Sequence, residues 1–286
     1  MNFPFYIARR YLFSKKKHNA INIISGISVC GVALATLALV CTLSVFNGFQ
    51  DMVASFFTAF DPQLKITVRE GKVFDGQDKR IGVVCLLPEV DVFTETLEEN
   101  AMVQYKDRQA MVVLKGVEDN FEELTAIDSI LYGAGDFLLH DSIVNYGVMG
   151  GELVATLGTG LQFVDPLQVY LPKRNAKVNM ANPGASFNRD YLYSPGVVFV
   201  VNQQEYDGKY ILTSLDFLRQ LLDYTTEVSA IELKLKPGAN VSSVQAKIEK
   251  ILGNDFIVQN RYQQQADVFR IMEIEKLISY LFLTFI

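Results

Sequence analysis

The sequence predicts an α+β membrane protein: an N-terminal transmembrane helix, then a large extramembrane domain in which an α/β layer carries an inserted, mainly β subdomain. Three features lead there. Residues 19–50, NAINIISGISVCGVALATLALVCTLSVFNGFQ, contain no Asp, Glu, Lys or Arg, a run longer than the ~20 residues a helix needs to cross a bilayer core. Period-two strand patterns stand near both ends of the polar stretch that follows. The long segment between them reads as mostly β with short helices.

Ahead of the apolar run, FPFYIARRYLFSKKK mixes Phe5, Tyr6, Tyr11, Leu12 and Phe13 with Arg9, Arg10, Lys15, Lys16 and Lys17. Such a mixture suits a short helix lying in the membrane interface, and residues 1–18 are assigned to it; a disordered basic tail is the rival reading. Lys and Arg flanking a span stay on the cytoplasmic side, so the N-terminus is placed inside and the domain outside. A cleaved signal peptide would have an apolar region of only ~7–15 residues and a small-x-small cleavage site. The run at 19–50 is longer, and SVFNGFQ offers no such site. Within the span, Gly31, Ala35, Ala38 and Thr42 recur on one helical face, where small side chains let another helix approach closely.

Residues 51–266 are read as the domain. QLKITVRE alternates Leu64, Ile66 and Val68 with Lys65, Thr67 and Arg69, the mark of a strand with one buried face. YGVMGGELVATLGTGL reads as a tight turn into a helix that ends at Gly158. LQVYLPK and GVVFVVNQ are strand-like, and EYDGKYIL carries an Asp207-Gly208 turn signal. SLDFLRQLLDY is a short helix with Ser214 as N-cap and Asp216 in its first turn. Last comes AIELKLKPGANVSSVQAKIEKILGNDFIVQN. It gives a strand with Ile231, Leu233 and Leu235 inward, a helix with Val241, Val244, Ile248, Ile251 and Leu252 on one face, a stop at Gly253, and a strand from Phe256 to Val258. Strands from the two ends would share one layer, making the domain discontinuous, with the inserted subdomain at about residues 120–225.

Inside that insertion, LPKRNAKVNMANPGASFNRDYLYSPG is rich in Asn, Pro, Gly and Ser and poor in aliphatic residues, so it reads as a long loop. Loops beyond ~12–15 residues in compact domains are functional or slack. Lys173, Arg174, Lys177 and Arg189 make this one basic, and with Pro183 and Phe187 they are the candidate partner-binding residues.

A formal net charge of −6 argues against a nucleic-acid partner, because phosphate binding needs clustered Lys and Arg. The three cysteines, Cys30, Cys41 and Cys85, have no paired spacing, and His18 and His140 have no second ligand at metal spacing. No GxxxxGK[ST], GxSxG or HExxH pattern occurs. Glu98-Glu99 and Glu122-Glu123 are sequence neighbours that point in different directions, poor acid/base couples. The chain therefore reads as non-enzymatic, with no catalytic residue, cofactor or metal expected.

Taken in order, IARRYLFSKKK, ISGISVCGVALATLALVCTLSVFNGFQDMV, YGVMGGELVATLGTGLQFVDPLQVYLPKR and QEYDGKYILTSLDFLRQLLDY, closed by VFRIMEIEKLISYLFLTFI, resemble the FtsX-like permeases of ABC transporters. The resemblance covers essentially the whole chain and is closest to the lipoprotein-releasing, Lol-type members. It implies four transmembrane helices with a MacB-like periplasmic domain between the first and second, in a bacterial inner membrane. On this pattern residues 267–286 resemble the start of the second helix, and the chain is expected to be the N-terminal part of a longer permease. The resemblance also implies partners: a separate cytoplasmic ATPase subunit, a second permease copy or a homologue, a periplasmic lipoprotein carrier and membrane lipids. In the family member that recruits the carrier, a protruding loop between strands does the gripping. Residues 173–188 lie at the matching place, between LQVYLP and GVVFVV, although their sequence departs from the family's pattern and is longer. The alternatives are a MacB-like efflux or cell-division permease and, in another class, a membrane receptor with an extracytoplasmic sensor domain.

Overall fold

A computed structural model describes residues 3–12, 20–54, 60–174 and 186–264, and Ile274, Leu277, Tyr280 and Leu281 as single helical positions. The chain divides into two compact units, Met1–Ser55 with Ala266–Ile286, and Phe56–Gln265. In the first unit, α1 (Phe3–Leu12) exposes Phe3, Phe5, Tyr6 and Ile7, and α2 (Ala20–Ala54) is one continuous helix. Its apolar part, Ile23–Val45, has 23 residues and a mean hydropathy of 2.3, or about 34 Å at 1.5 Å per residue, enough to cross a bilayer core. Thr36 and Thr42 donate their hydroxyls to the carbonyls of Val32 and Ala38, each at 2.8 Å, so neither hydroxyl depends on water. Apart from the four single positions, the expected second helix at 267–286 lies outside the described residues, as do residues 13–18.

The second unit contains, in chain order, β1 (Leu64–Val68), β2 (Phe74–Asp75), α3 (Lys79–Cys85), β3 (Val90–Tyr105), β4 (Arg108–Val117), α4 (Phe121–Leu124), β5 (Leu131–Gly133), β6 (Val148–Met149), α5 (Gly151–Leu157), β7 (Leu167–Pro172), β8 (Phe187–Leu192), β9 (Val197–Phe199), α6 (Gln204–Asp207), β10 (Tyr210–Ser214), α7 (Leu215–Leu222), β11 (Glu227–Val228), β12 (Ala230–Leu235), α8 (Val241–Leu252), β13 (Phe256–Asn260) and α9 (Arg261–Gln264). One sheet runs β13-β1-β12-β3-β4-β10-β6, and β7 and β8 extend it from β3. The 16-residue β3 makes this possible. Its first half pairs with β12, its second half with β7, and β4 lies along its other edge.

Alternation along β3 sends Leu97, Ala101 and Val103 to the face covered by helices, and Val92, Thr94, Thr96 and Glu98 to the other. On the helical face, α3 and α8 cover Leu64, Ile66, Ile231 and Leu233, while α5 and α7 cover Leu97, Val103, Val112 and Leu114. On the other face a cluster forms around Phe60, Phe121 and Phe199 with Val92, Val117 and Leu212.

Local chemistry explains the ends of the helices. Ser214 accepts from the Phe217 N–H at the start of α7, Gly158 ends α5 in the left-handed region, and Gly253 ends α8 at φ 73°. One expectation is corrected. FNRDYL is the strand β8, paired residue for residue with β7, so the long loop is shorter than composition suggested; its mostly exposed residues hid the strand. Asp207 and Gly208 end the one-turn helix α6 and lead into a turn, as their signal suggested, and the buried Asp207 carboxylate accepts from the Val201 N–H at 2.9 Å.

Candidate functional site: a charge quartet and an edge hairpin

Four neighbouring strands each place one charged side chain on the sheet face that carries Thr94 and Thr96: Lys65 from β1, Glu232 from β12, Glu98 from β3 and Lys115 from β4. The register sets Lys65 opposite Glu232 and Glu98 opposite Lys115. Lys115 Nζ lies 2.6 Å from Glu232 Oε1 and 3.6 Å from Glu98 Oε1, and Lys65 Nζ lies 3.3 Å from Glu98 Oε1. Phe60 and Phe121 cover the group, with their ring centroids 5.9 and 5.5 Å from Lys115 Nζ. Lys115 is thereby 2% and Glu232 0% exposed. Two ammoniums and two carboxylates cancel, which is what makes such burial tolerable. Glu232 Oε2 has no hydrogen-bond partner among the described residues.

Burial alone would raise the Glu98 carboxyl, but the adjacent Lys65 and Lys115 ammoniums outweigh it and hold the pKa at about 2. Burial alone would lower Lys65, and the Glu98 and Glu232 carboxylates instead raise it above the usual lysine range. A cavity of about 240 Å³ adjoins the quartet, lined by Phe60, Asp61, Lys65, Glu98, Tyr206 and Tyr210 among others. Tyr206 donates to Asp61 Oδ1 at 3.1 Å. Burial and nearby carboxylates push both phenols above the ordinary tyrosine range. Arg261 Nε donates to the Asp61 carbonyl and Gln264 Nε2 to the Pro62 carbonyl, at 2.9 and 3.1 Å, tying the start of this unit to its end. The ion pairs of the quartet fasten β1, β12, β3 and β4 to one another through their side chains.

A second cavity, of about 370 Å³, is lined by Glu118, Asp119, Asn120, His140, Asp216 and Arg219 among others. Its Arg219 is tied to Glu95 at 2.6 Å, and burial pushes the Glu118 carboxyl up. Among the described residues, no group of three or more His, Cys, Asp or Glu is arranged to hold a metal. His18 lies outside the described residues, and His140 Nδ1 stands 3.6 Å from Asp119 Oδ1.

Four of the sequence-predicted binding residues lie in or next to β7 and β8. Lys173 and Arg174 follow β7, and Phe187 and Arg189 belong to β8, with Phe187 38% exposed; Lys177 and Pro183 lie outside the described residues. Arg174 is held back against the domain, 3.6 Å from Glu227 Oε1 and 5.1 Å from the Tyr224 ring centroid. The Arg189 guanidinium lies 5.9 Å from the ring centroid of Tyr191. On α2, Ala35, Ala38 and Thr42 are half-buried, while Gly31 is exposed with open space around its Cα.

Sequence reasoning missed the quartet. Its members sit at the polar positions of period-two strands, which read as a solvated face. The signal that separates the two cases is a covering layer, supplied by Phe60 and Phe121 from outside those strands.

A family model described as "MacB-like periplasmic core domain" matches residues 25–251. The "Lipoprotein-releasing system transmembrane protein LolC" of Xylella fastidiosa is 21% identical over 282 residues, covering 98% of this chain and 65% of that protein. The corresponding LolE protein of Haemophilus influenzae is 25% identical over 248 residues, covering 82% of this chain and 55% of that protein. The chain thus spans less than two thirds of either relative. The crystal structure of the periplasmic region of MacB from Actinobacillus actinomycetemcomitans aligns with a TM-score of 0.47 at 11% identity, covering 72% of this chain and 91% of that one.

Proposed function

Because the chain belongs to the MacB-like periplasmic core domain family, with the match running from within α2 to within α8, we propose that it is the permease subunit of an inner-membrane ABC transporter that releases lipoproteins to a periplasmic carrier. One observation carries the reading: the similarity to proteins named as parts of a lipoprotein-releasing system extends over 98% of this chain, apolar helix and domain together. ATP is hydrolysed on a separate cytoplasmic subunit. The N-terminus faces the cytoplasm, and residues 51–266 face the periplasm. A second permease copy or a homologue packs on the Gly31, Ala35, Ala38, Thr42 face of the first span. The hairpin bearing Lys173, Arg174, Lys177, Pro183, Phe187 and Arg189 grips the carrier.

The test is release. Membranes from cells depleted of the protein that carries this chain are expected to retain lipoproteins in the inner membrane and to lose their ATP-dependent transfer to a soluble carrier. Normal release in the depleted membranes would overturn the reading and favour efflux.

A further inference from the structure

The large sheet ends at β13, at β6 and, on the branch from β3, at β8, and the β13 and β8 edges are finished differently. At the β13 end, the Arg69 N–H donates to the Asp255 carbonyl at 2.8 Å, and the register continues through Lys65↔Gln259. Alternation in an antiparallel ladder then turns the backbone groups of Phe256, Val258 and Asn260 outward. Side-chain amides occupy that edge: Gln245 Nε2 donates to the Val258 carbonyl at 2.9 Å, and Gln263 Oε1 accepts from the Asn260 N–H at 3.0 Å. Gln245 is itself bonded to Gln263 and Asn260, so the plug is held in place.

At the β8 end the same logic starts from the Lys173 N–H, which donates to the Ser186 carbonyl at 2.9 Å. In the register Leu171↔Asn188 and Val169↔Asp190, the backbone groups of Phe187, Arg189 and Tyr191 point outward. Asp190 Oδ1 accepts from the Tyr191 N–H at 2.8 Å, a local block against pairing at that residue. Among the described residues, no hydrogen bond occupies the outward N–H or C=O of Phe187 or Arg189. Phe187, Arg189 and Tyr191 also share one exposed face of the strand.

We propose that β8 is a strand-addition site, open at Phe187 and Arg189 and closed at Tyr191, for an extended segment of the carrier. The segment it fits is defined by chemistry. An antiparallel strand entering there sets one side chain opposite Arg189 and two more opposite Phe187 and Tyr191, so a carboxylate flanked at two-residue spacing by apolar residues is complementary. The proposal rests on the carrier-recruiting reading above and supplies its recognition mode.

The experiment uses the full chain in detergent micelles and a fluorescent pentapeptide, Val-Thr-Glu-Thr-Val with blocked ends, followed by anisotropy. N-methylation of the peptide's Glu removes the hydrogen bond to the Arg189 carbonyl and is expected to weaken binding about tenfold, the scale of one lost hydrogen bond. Phe187→Pro removes an outward N–H without touching the β7 ladder, an edge substitution that strands tolerate. It is expected to weaken binding more than Phe187→Ala does. Asp190→Ala uncaps Tyr191 and is expected to tighten binding. Equal affinity for the parent and N-methylated peptides overturns the proposal, whether or not the Pro variant folds. If a lipoprotein carrier is captured equally by the parent chain and Phe187→Pro, the strand-addition mode fails and the release function stands. If the peptide shows the expected pattern but no carrier is captured, the release function fails and the edge site stands.

Discussion

Lys115 and Glu232 lie buried side by side, 2.6 Å apart, and a buried ion pair costs far more to break than to replace. Lys115→Met alone leaves two carboxylates, Glu98 and Glu232, to share the single Lys65 ammonium and takes the 2.6 Å partner from the fully buried Glu232, and is expected to destabilise the domain by about 3–5 kcal/mol. Replacing both partners, Lys115→Met with Glu232→Leu, is expected to recover most of that loss; urea midpoints of the two variants decide, and additive losses would refute the account. The pH dependence follows from Glu98. Its pKa falls from an ordinary 4.5 to about 2 in the folded protein. The stability it contributes is therefore fully present above the unfolded value and disappears as pH drops from about 4.5 toward 2. Glu98→Gln is expected to flatten that acid limb of the stability curve, measured as urea midpoint against pH.

At the scale of elements, the helices were the most legible part of the sequence. Ser214 at the start of α7, Gly158 after α5 and Gly253 after α8 were all readable, because capping chemistry is local and the same few residues supply it. β8 was not readable. FNRDYL carries no run of apolar alternation, and only its partner β7, across the hairpin, makes it a strand. The quartet failed for a related reason: Glu232 is a surface acid by sequence and a buried one only once β1 and β3 flank it and Phe60 and Phe121 cover the group. The strand boundary matters for testing the hairpin. A deletion of residues 173–188 would cut into β8, whereas replacing residues 175–185 with a short Gly-Ser turn leaves the bond between the Lys173 N–H and the Ser186 carbonyl in place. Shortening the loop lowers its closure entropy by under ~1 kcal/mol, so the thermal midpoint is expected to stay nearly unchanged. Because that variant keeps Phe187 and Arg189 on β8 and loses Lys177, carrier capture is expected to weaken without vanishing, and capture by the intact hairpin is expected to weaken as salt rises through ~0.15 M, where screening shortens to ~8 Å.

For the whole molecule, the charge distribution of the first residues sets an expectation for which side of the membrane the domain occupies. Arg9, Arg10, Lys15, Lys16 and Lys17 precede α2, and no Lys or Arg occurs from residue 18 to residue 64. The basic flank is thus entirely on one side of the Ile23–Val45 stretch, so the N-terminus is expected in the cytoplasm and the domain across the membrane. Because β1 and β13 are adjacent strands of one sheet, the start and end of the domain must lie on the same side of the membrane. A reporter fused after Asn260 is expected to behave as periplasmic, active as an exported phosphatase, and one fused at residue 2 as cytoplasmic, fluorescent as a protein that folds only there. Neutralising the five basic residues to Gln is expected to blur this pattern, so that both reporters show activity at both junctions. A clean reversal in the unaltered chain, with the N-terminus exported, would put the hairpin in the cytoplasm, out of reach of any periplasmic carrier, and would remove the transporter reading together with the orientation.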